Sequence, residues 1–296
     1  MTAPILLFGG NGQVGWELRR ALAPLGVVRA LERGDADLAD GGALRRFVRH
    51  ERPSLIVNAA AYTAVDRAEN DAELALAVNA KAPGILAEEA KRLDIALVHY
   101  STDYVFDGTA GRPYTEDDDP APLGVYGESK MAGERAVADS GCAHLILRTS
   151  WVYSLRGANF LLTVRRLSGE LEELRIVDDQ YGAPTWSRMI AEATAAVLAR
   201  CGAPKATGIL AERGGLYHLT ASGKTSWHGF AEAIVDWLRK TRQPVRCKRI
   251  RPIPTSEYPT PAKRPANSLL DGTKLFETFD VALPDWREQL NLCLEG

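Results

Sequence analysis

The chain has 296 residues, 46% of them hydrophobic and 25% charged, with a formal net charge of -2. A chain of this size buries a large core, as one domain or as a major and a minor one. Interspersed charges exclude the basic face of a nucleic-acid binder, and no apolar run reaches membrane-spanning length. Four cysteines (Cys142, Cys201, Cys247 and Cys293) lie far apart with no C-x-x-C pair. They suit free thiols in a reducing cytoplasm and offer no zinc site. The N-terminal residues run straight into a strand-like segment without a signal-peptide pattern.

In chain order, short apolar runs at Ile5–Gly9, Val27–Leu31, Leu55–Ala60, Ile95–Tyr100 and Leu145–Ser150 predict strands buried on both faces of a parallel sheet. Amphipathic stretches near Val14–Ala23, Leu44–Arg49, Ala72–Leu93 and Lys130–Ala138 alternate with them. This rhythm predicts an α/β, doubly wound Rossmann-type sheet over residues 1–150. Beyond it the pattern changes. Strand-like pieces occur at Leu174–Val177 and Leu216–Thr220, and a helical run at Trp227–Arg239. The proline-rich Arg251–Pro265 reads as an ordered loop, unable to form a regular helix or a central strand. We therefore expect 151–296 to form mainly a smaller substrate-binding domain, with roughly 185–220 returning to the first.

Gly9, Asn11, Gly12, Gln13, Val14 and Gly15 fall where the first strand gives way to the first helix. Glycines at 9, 12 and 15 fit G-x-x-G-x-x-G, which permits a tight turn, close approach of a pyrophosphate and helix-on-strand packing. The backbone N–H groups and the helix dipole then face the anion. A glycine-rich turn without a ligand is the plainer reading, and the strand–motif–helix context argues against it. The second strand ends in Ala30, Leu31, Glu32 and Arg33. Glu32 suits a ribose 2′-hydroxyl and Arg33 a 2′-phosphate, which leaves NADH and NADPH open with a leaning to NADPH. Asp37 and Leu38 follow where such folds touch adenine, and Ala60, Ala61, Tyr62 and Thr63 should line the same groove.

Tyr126 and Lys130 form Y-x-x-x-K at the start of a predicted helix, on one helical face. Lys130 is expected to depress the Tyr126 pKa and to hold the nicotinamide ribose, so that Tyr126 serves as the acid–base group. Alone, such a pair reads equally well as a solvated helix face. Its companion is Thr102, at the carboxyl end of the fourth strand beyond Tyr100, where ligands bind in open α/β sheets. Thr102 would hydrogen-bond a substrate carbonyl; alone, it reads as a polar strand terminus.

At these residues the chain resembles the extended short-chain dehydrogenase/reductase superfamily, and within it the family of dTDP-4-dehydrorhamnose reductases. The resemblance spans nearly the whole chain and rests on Gly9–Glu17, Asn58–Glu69, Tyr100–Gly108, Tyr126–Glu134, Arg148–Tyr153, Val177–Thr185 and Ala262–Asp271. It implies reduction of the 4-keto group of a nucleotide-linked deoxysugar, with Thr102, Tyr126 and Lys130 catalytic. It also implies cofactor contacts along Gly9–Gly15, Asp37, Leu38, Ala60–Thr63, Tyr100, Tyr126 and Lys130. Thr102, Asp103, Val105, Trp151, Gln180 and Arg264 would face the substrate. For Trp151 the plain alternative is a core aromatic, and for Arg264 a surface ion pair. Tyr104 stands where the related dehydratases carry Glu, which argues for simple reduction. Some members bind Mg²⁺, and Glu17 stands at a matching position, but no partner carboxylate is evident and a first-turn helix charge explains it equally. A monomer or homodimer is expected. Two alternatives stay open: another nucleotide-sugar reductase or epimerase of this fold, and a noncatalytic NADP-binding regulatory subunit.

Overall fold

The structure is a computed structural model, described over residues 3–295. Its first half alternates as expected: β1 (Ile5–Phe8), α1 (Gln13–Ala21), β2 (Val28–Leu31), α2 (Gly41–Glu51), β3 (Leu55–Asn58), α3 (Val65–Ala68), α4 (Ala72–Leu76), α5 (Ala82–Leu93), β4 (Ala96–Thr102), α6 (Val125–Asp139) and β5 (His144–Thr149). The stretch Ala72–Leu93, continuous in its periodicity, is broken between α4 and α5 by a wide π turn at Ala77–Lys81. Asp40 caps α2 by accepting from the Ala43 N–H at 2.9 Å.

The second half holds β6 (Val152–Tyr153), α7 (Phe160–Glu170), β7 (Glu173–Val177), β8 (Tyr181–Gly182), β9 (Thr185–Trp186), α8 (Ser187–Arg200), α9 (Thr207–Arg213), β10 (Gly215–His218), β11 (Thr225–Ser226), α10 (Trp227–Lys240), β12 (Arg249–Ile253), α11 (Thr273–Phe279) and α12 (Trp286–Glu295). Only one of these strands joins the large sheet. Its order is β10-β5-β4-β3-β1-β2, all parallel. The chain reverses direction across the sheet between β1 and β3, so the crevice beyond their carboxyl ends is the natural ligand position.

Two apolar clusters cover this sheet. One gathers Leu7, Val57, Val98 and Leu147 beneath α1 and α8; the other gathers Leu6, Ile56, Leu97 and Ile146 beneath α2, α5 and α6. A separate cluster, with Tyr153, Leu161, Leu174, Phe230, Ile234, Trp286 and Leu290, joins α7, α10 and α12 around the small strand pairs. The chain returns to the sheet through α8, α9 and β10. A second return was not foreseen: Leu275, Phe279 and Val281, from α11 onward, also pack into the first cluster. Pro252 lies within β12, paired with Ile176 of β7 in a sheet of two strands. Such an edge tolerates a residue without an N–H.

Candidate active site

The glycine loop sits at the reversal point. Gly9 has φ +77°, and a Cβ there would lie 2.7 Å from the Ala60 N. At Gly15 a Cβ would lie 2.0 Å from the Gly9 carbonyl oxygen, so helix and loop meet only because both residues lack side chains. Gly12 precedes α1 with no side-chain cap, and the first-turn N–H groups there are of the kind that bind phosphate. Asn11 is exposed at the loop tip, whereas Val14 packs into the core beneath the sheet. Gln13 reaches across: its Oε1 accepts from Ser154 Oγ at 2.9 Å and Asn159 Nδ2 at 2.8 Å. The loop is thereby tied to the segment that leads into α7.

Around the rest of the groove, Ala30 is half-buried and Arg33 is exposed, with Nε 3.6 Å from Asp37 Oδ2. Leu38 is buried in the cluster under α2. Ala60 donates its N–H to Asn58 Oδ1 at 3.2 Å. The Tyr62 N–H donates to Asn79 Oδ1 at 2.8 Å, and Asn79 Nδ2 donates back to the Tyr62 carbonyl at 3.0 Å and to Ser129 Oγ at 3.0 Å. Asn79 belongs to the π turn, a distortion frequent at functional sites. It fixes the Ala60–Thr63 segment against α6. Thr63 is exposed and Ala61 half-buried on that segment. Sequence reasoning missed Asn79, because a helical apolar pattern continues through it.

Thr102, Tyr126 and Lys130 meet beside this groove. Glu69 fixes the start of α6 by accepting from the Val125 N–H at 3.0 Å. The Thr102 hydroxyl donates to Asp103 Oδ1 at 3.0 Å and accepts from the Tyr104 N–H at 3.2 Å. Desolvation pushes the Tyr126 phenol above the ordinary tyrosine range, against the opposing pull of the neighbouring Thr102 hydroxyl. The expectation that Lys130 depresses Tyr126 is therefore corrected. The Lys130 ammonium is buried and donates to the Tyr100 carbonyl at 2.6 Å, and burial lowers its own pKa to about 8. A neutral phenol is the form that donates a proton. Tyr100 contributes that carbonyl alone; its hydroxyl turns into the core to meet Thr194 Oγ1 at 2.7 Å.

On the substrate side, burial pushes the Asp103 carboxyl up to about 6, against the pull of the Ser268 and Thr102 hydroxyls. Val105 does not face the groove as expected. Its side chain is fully buried with Phe106, Tyr114 and Leu270, because the chain turns helically at Asp103–Val105 once β4 ends. Arg264 comes from the far end of the chain and donates to Tyr104 OH at 3.1 Å and Asp66 Oδ2 at 2.7 Å. Tyr104 packs edge-on against Tyr126, with centroids 5.5 Å apart. Trp151, with φ +48°, lies flat on Trp227, with centroids 3.5 Å apart and planes 4° from parallel. Gln180 accepts from Trp227 Nε1 at 3.2 Å and donates to Thr255 Oγ1 at 3.0 Å. Trp227, Tyr104 and Asp66 were not singled out as site residues in the sequence.

Glu17 is paired with an arginine of its own helix. Its Oε2 accepts from Arg20 Nη2 at 2.7 Å. Among the described residues no group of three or more His, Cys, Asp or Glu is placed to hold a metal.

The family model described as "RmlD substrate binding domain" matches residues 2–296. The chain is 53% identical to a dTDP-4-dehydrorhamnose reductase of Burkholderia thailandensis, over 98% of this chain and 97% of that one. It is 45% identical to the protein of the same name from Escherichia coli K12, over 96% and 94%. Among solved structures, a dTDP-4-dehydrorhamnose reductase from Bacillus anthracis in complex with NADP superposes with a TM-score of 0.87 at 31% identity, over 100% of this chain and 99% of that one. With its parallel sheet and its glycine loop at the reversal point, the chain belongs to the RmlD substrate-binding-domain family.

Proposed function

We infer that this protein is a nicotinamide-dependent reductase that converts dTDP-4-dehydro-β-L-rhamnose into dTDP-L-rhamnose. One observation carries the reading: Tyr126 neighbours the Thr102 hydroxyl and Lys130 donates to the Tyr100 carbonyl, at the carboxyl end of the central strand β4. Full-length relatives named for that reaction support it. The glycine loop, Ala60–Thr63 and the Arg33–Asp37 corner would hold the dinucleotide. An exposed Arg33 favours NADPH, since a guanidinium there suits a 2′-phosphate. The reduced nicotinamide, when bound, supplies the hydride for C4. Tyr126 gives its phenolic proton to the O4 oxygen, and the Thr102 hydroxyl orients that oxygen by hydrogen bonding. Lys130, held at the Tyr100 carbonyl, would hold the nicotinamide ribose. Asp103, Trp151, Gln180 and Arg264 would hold the sugar nucleotide, with Arg264 suited to a pyrophosphate. No helix among the described residues is long and apolar enough to cross a membrane; we take the protein to be a cytoplasmic monomer or homodimer.

The test is NADPH oxidation with the ketosugar generated in situ from dTDP-glucose by a dehydratase and an epimerase. Oxidation is expected only when the epimerase is present, with dTDP-L-rhamnose as product. Tyr126→Phe should keep NADPH affinity and lose about 10²–10⁴-fold in turnover. Tight NADPH binding without oxidation would overturn the reading.

A further inference from the structure

The sheet face beneath α6 carries an unusual row. Leu97 and Ile146 pack there with Val137 of α6, and strand alternation puts His99, Ser101 and Arg148 on the same face. Asn58 stands beside His99 across β3 and β4, Ser101 beside Arg148 across β4 and β5, and Arg148 beside His218 across β5 and β10. All five are buried. A parallel sheet covered on both faces is ordinarily apolar at such positions. Over this row α6 lays Lys130 and Glu134, one helical turn apart and only 2% and 6% exposed. Arg148 reaches up from β5 and clasps Glu134 with two hydrogen bonds, Nε to Oε1 at 2.9 Å and Nη2 to Oε2 at 2.7 Å. A buried ion pair is a weak device for stability, since apolar side chains of the same volume serve as well or better.

We propose that Glu134, clamped by Arg148, is a positioning residue for Lys130: its carboxylate is the fixed counter-charge that keeps the Lys130 ammonium charged and directed at the carboxyl end of β4. This rests on the catalytic reading of Lys130 given above. Among the described residues no other group facing Lys130 supplies an anion. From α6 itself come Tyr126, whose phenol is neutral, and Glu134. From β4 come the Tyr100 carbonyl and His99, and burial keeps His99 neutral. From β5 comes Arg148, a second cation, and beside it on β10 is His218, which burial lowers to about 3. Asp103 acts on Tyr126 rather than on Lys130. Without Glu134 two cations would share one dry layer. The clamp also sets a limit: Arg148 fixes where the carboxylate points, so Glu134 stabilises the ammonium from one turn away without capturing it from the strand end.

The experiment titrates Lys130 in the ligand-free protein by NMR of ¹³C-labelled lysine, its resonance assigned by disappearance in K130M. Lys130 should titrate near pH 8 in the parent. In E134Q it should titrate at least about one unit lower, a tenfold loss of proton affinity. In E134Q/R148M, which removes both charges, it should fall between the two. The alkaline limb of kcat/KM should move in the same order. A purely structural pair predicts uniform loss of activity at all pH with the Lys130 titration in place, and that result would overturn the proposal. If E134Q fails to fold, the double variant carries the test: a lowered titration supports the proposal and an unmoved one refutes it. Full turnover by K130M would remove the catalytic reading, whereas the NMR shift in the Glu134 variants would stand or fall separately.

Discussion

Gly182→Ala is the sharpest probe of the substrate-holding role proposed for Trp151. A Cβ at Gly182 would lie 2.5 Å from Trp151 Cε2, 2.8 Å from Nε1 and 2.9 Å from Cδ2. Near-equal distances to three ring atoms place the new methyl over the indole face. Trp227 already covers the other face, with centroids 3.5 Å apart. The ring must therefore leave its stack by about 1 Å to restore ordinary contact. Overpacking of this kind costs about 1–3 kcal/mol, and a lost aromatic stack about 0.5–1.5 kcal/mol more. Thermal unfolding should fall by several degrees, at roughly 2–4 °C per kcal/mol. An indole displaced by about an ångström should raise KM for the sugar nucleotide about tenfold, equivalent to about 1.4 kcal/mol, with NADPH affinity unchanged. Steady-state kinetics with each substrate varied, beside NADPH titration by fluorescence, separates the two. A variant that melts earlier yet keeps the parent KM would refute the role assigned to Trp151.

Three further outcomes are expected. Gly15→Ala drives a Cβ to 2.0 Å from the Gly9 carbonyl oxygen, so it should weaken NADPH binding about tenfold or more, measured by calorimetry; an unchanged affinity would dissociate the loop from the cofactor. Arg264→Lys cannot serve Tyr104 and Asp66 together as the fork does, and should raise KM for the sugar nucleotide about tenfold while sparing NADPH; equal loss for both ligands would count against it. Asp103 is held at about 6 against an ordinary 3.8 when folded, so its contribution to stability is present below the lower value and lost as pH rises through the upper one. Asp103→Asn should therefore melt higher than the parent at about pH 7.5, with the advantage gone below about pH 4. The same change should cut turnover, since Thr102 loses its charged acceptor. A melting difference independent of pH would reject this account.

What could be read from the sequence was what local spacing encodes. Gly9 and Gly12 sit between a strand and a helix with Gly15 in the helix's first turn, and the four-residue step from Tyr126 to Lys130 guarantees a shared helix face. Long-range partners left no such mark. Arg264 meets Asp66 across 198 residues and Tyr104 across 160, and no periodicity links them. Trp227 read as the first apolar residue of α10, and only the fold sets it against Trp151. Val105 was set facing the substrate by the resemblance alone, and the helical turn that follows β4 buries it instead. Lys130 was matched to Tyr126 by spacing alone, but burial, which sets the charges of both, depends on the covering layers. Glu134 was visible at the next helical step, but its partner Arg148 lies on a strand whose inward residues the sequence presents as an apolar run.

The second return of the chain, through α11, bears on how the protein is made. Leu275, Phe279 and Val281 complete a cluster whose other members begin at Ile5, and α12 then goes back to seal the separate cluster with Trp286 and Leu290. The half built on the large sheet therefore cannot finish its core as it emerges from the ribosome. It waits for residues synthesised nearly last, and a fragment ending at residue 150 would expose apolar surface on the sheet. The two halves should consequently unfold in one step, and any movement of one against the other must bend several chain crossings at once rather than swing on a single linker.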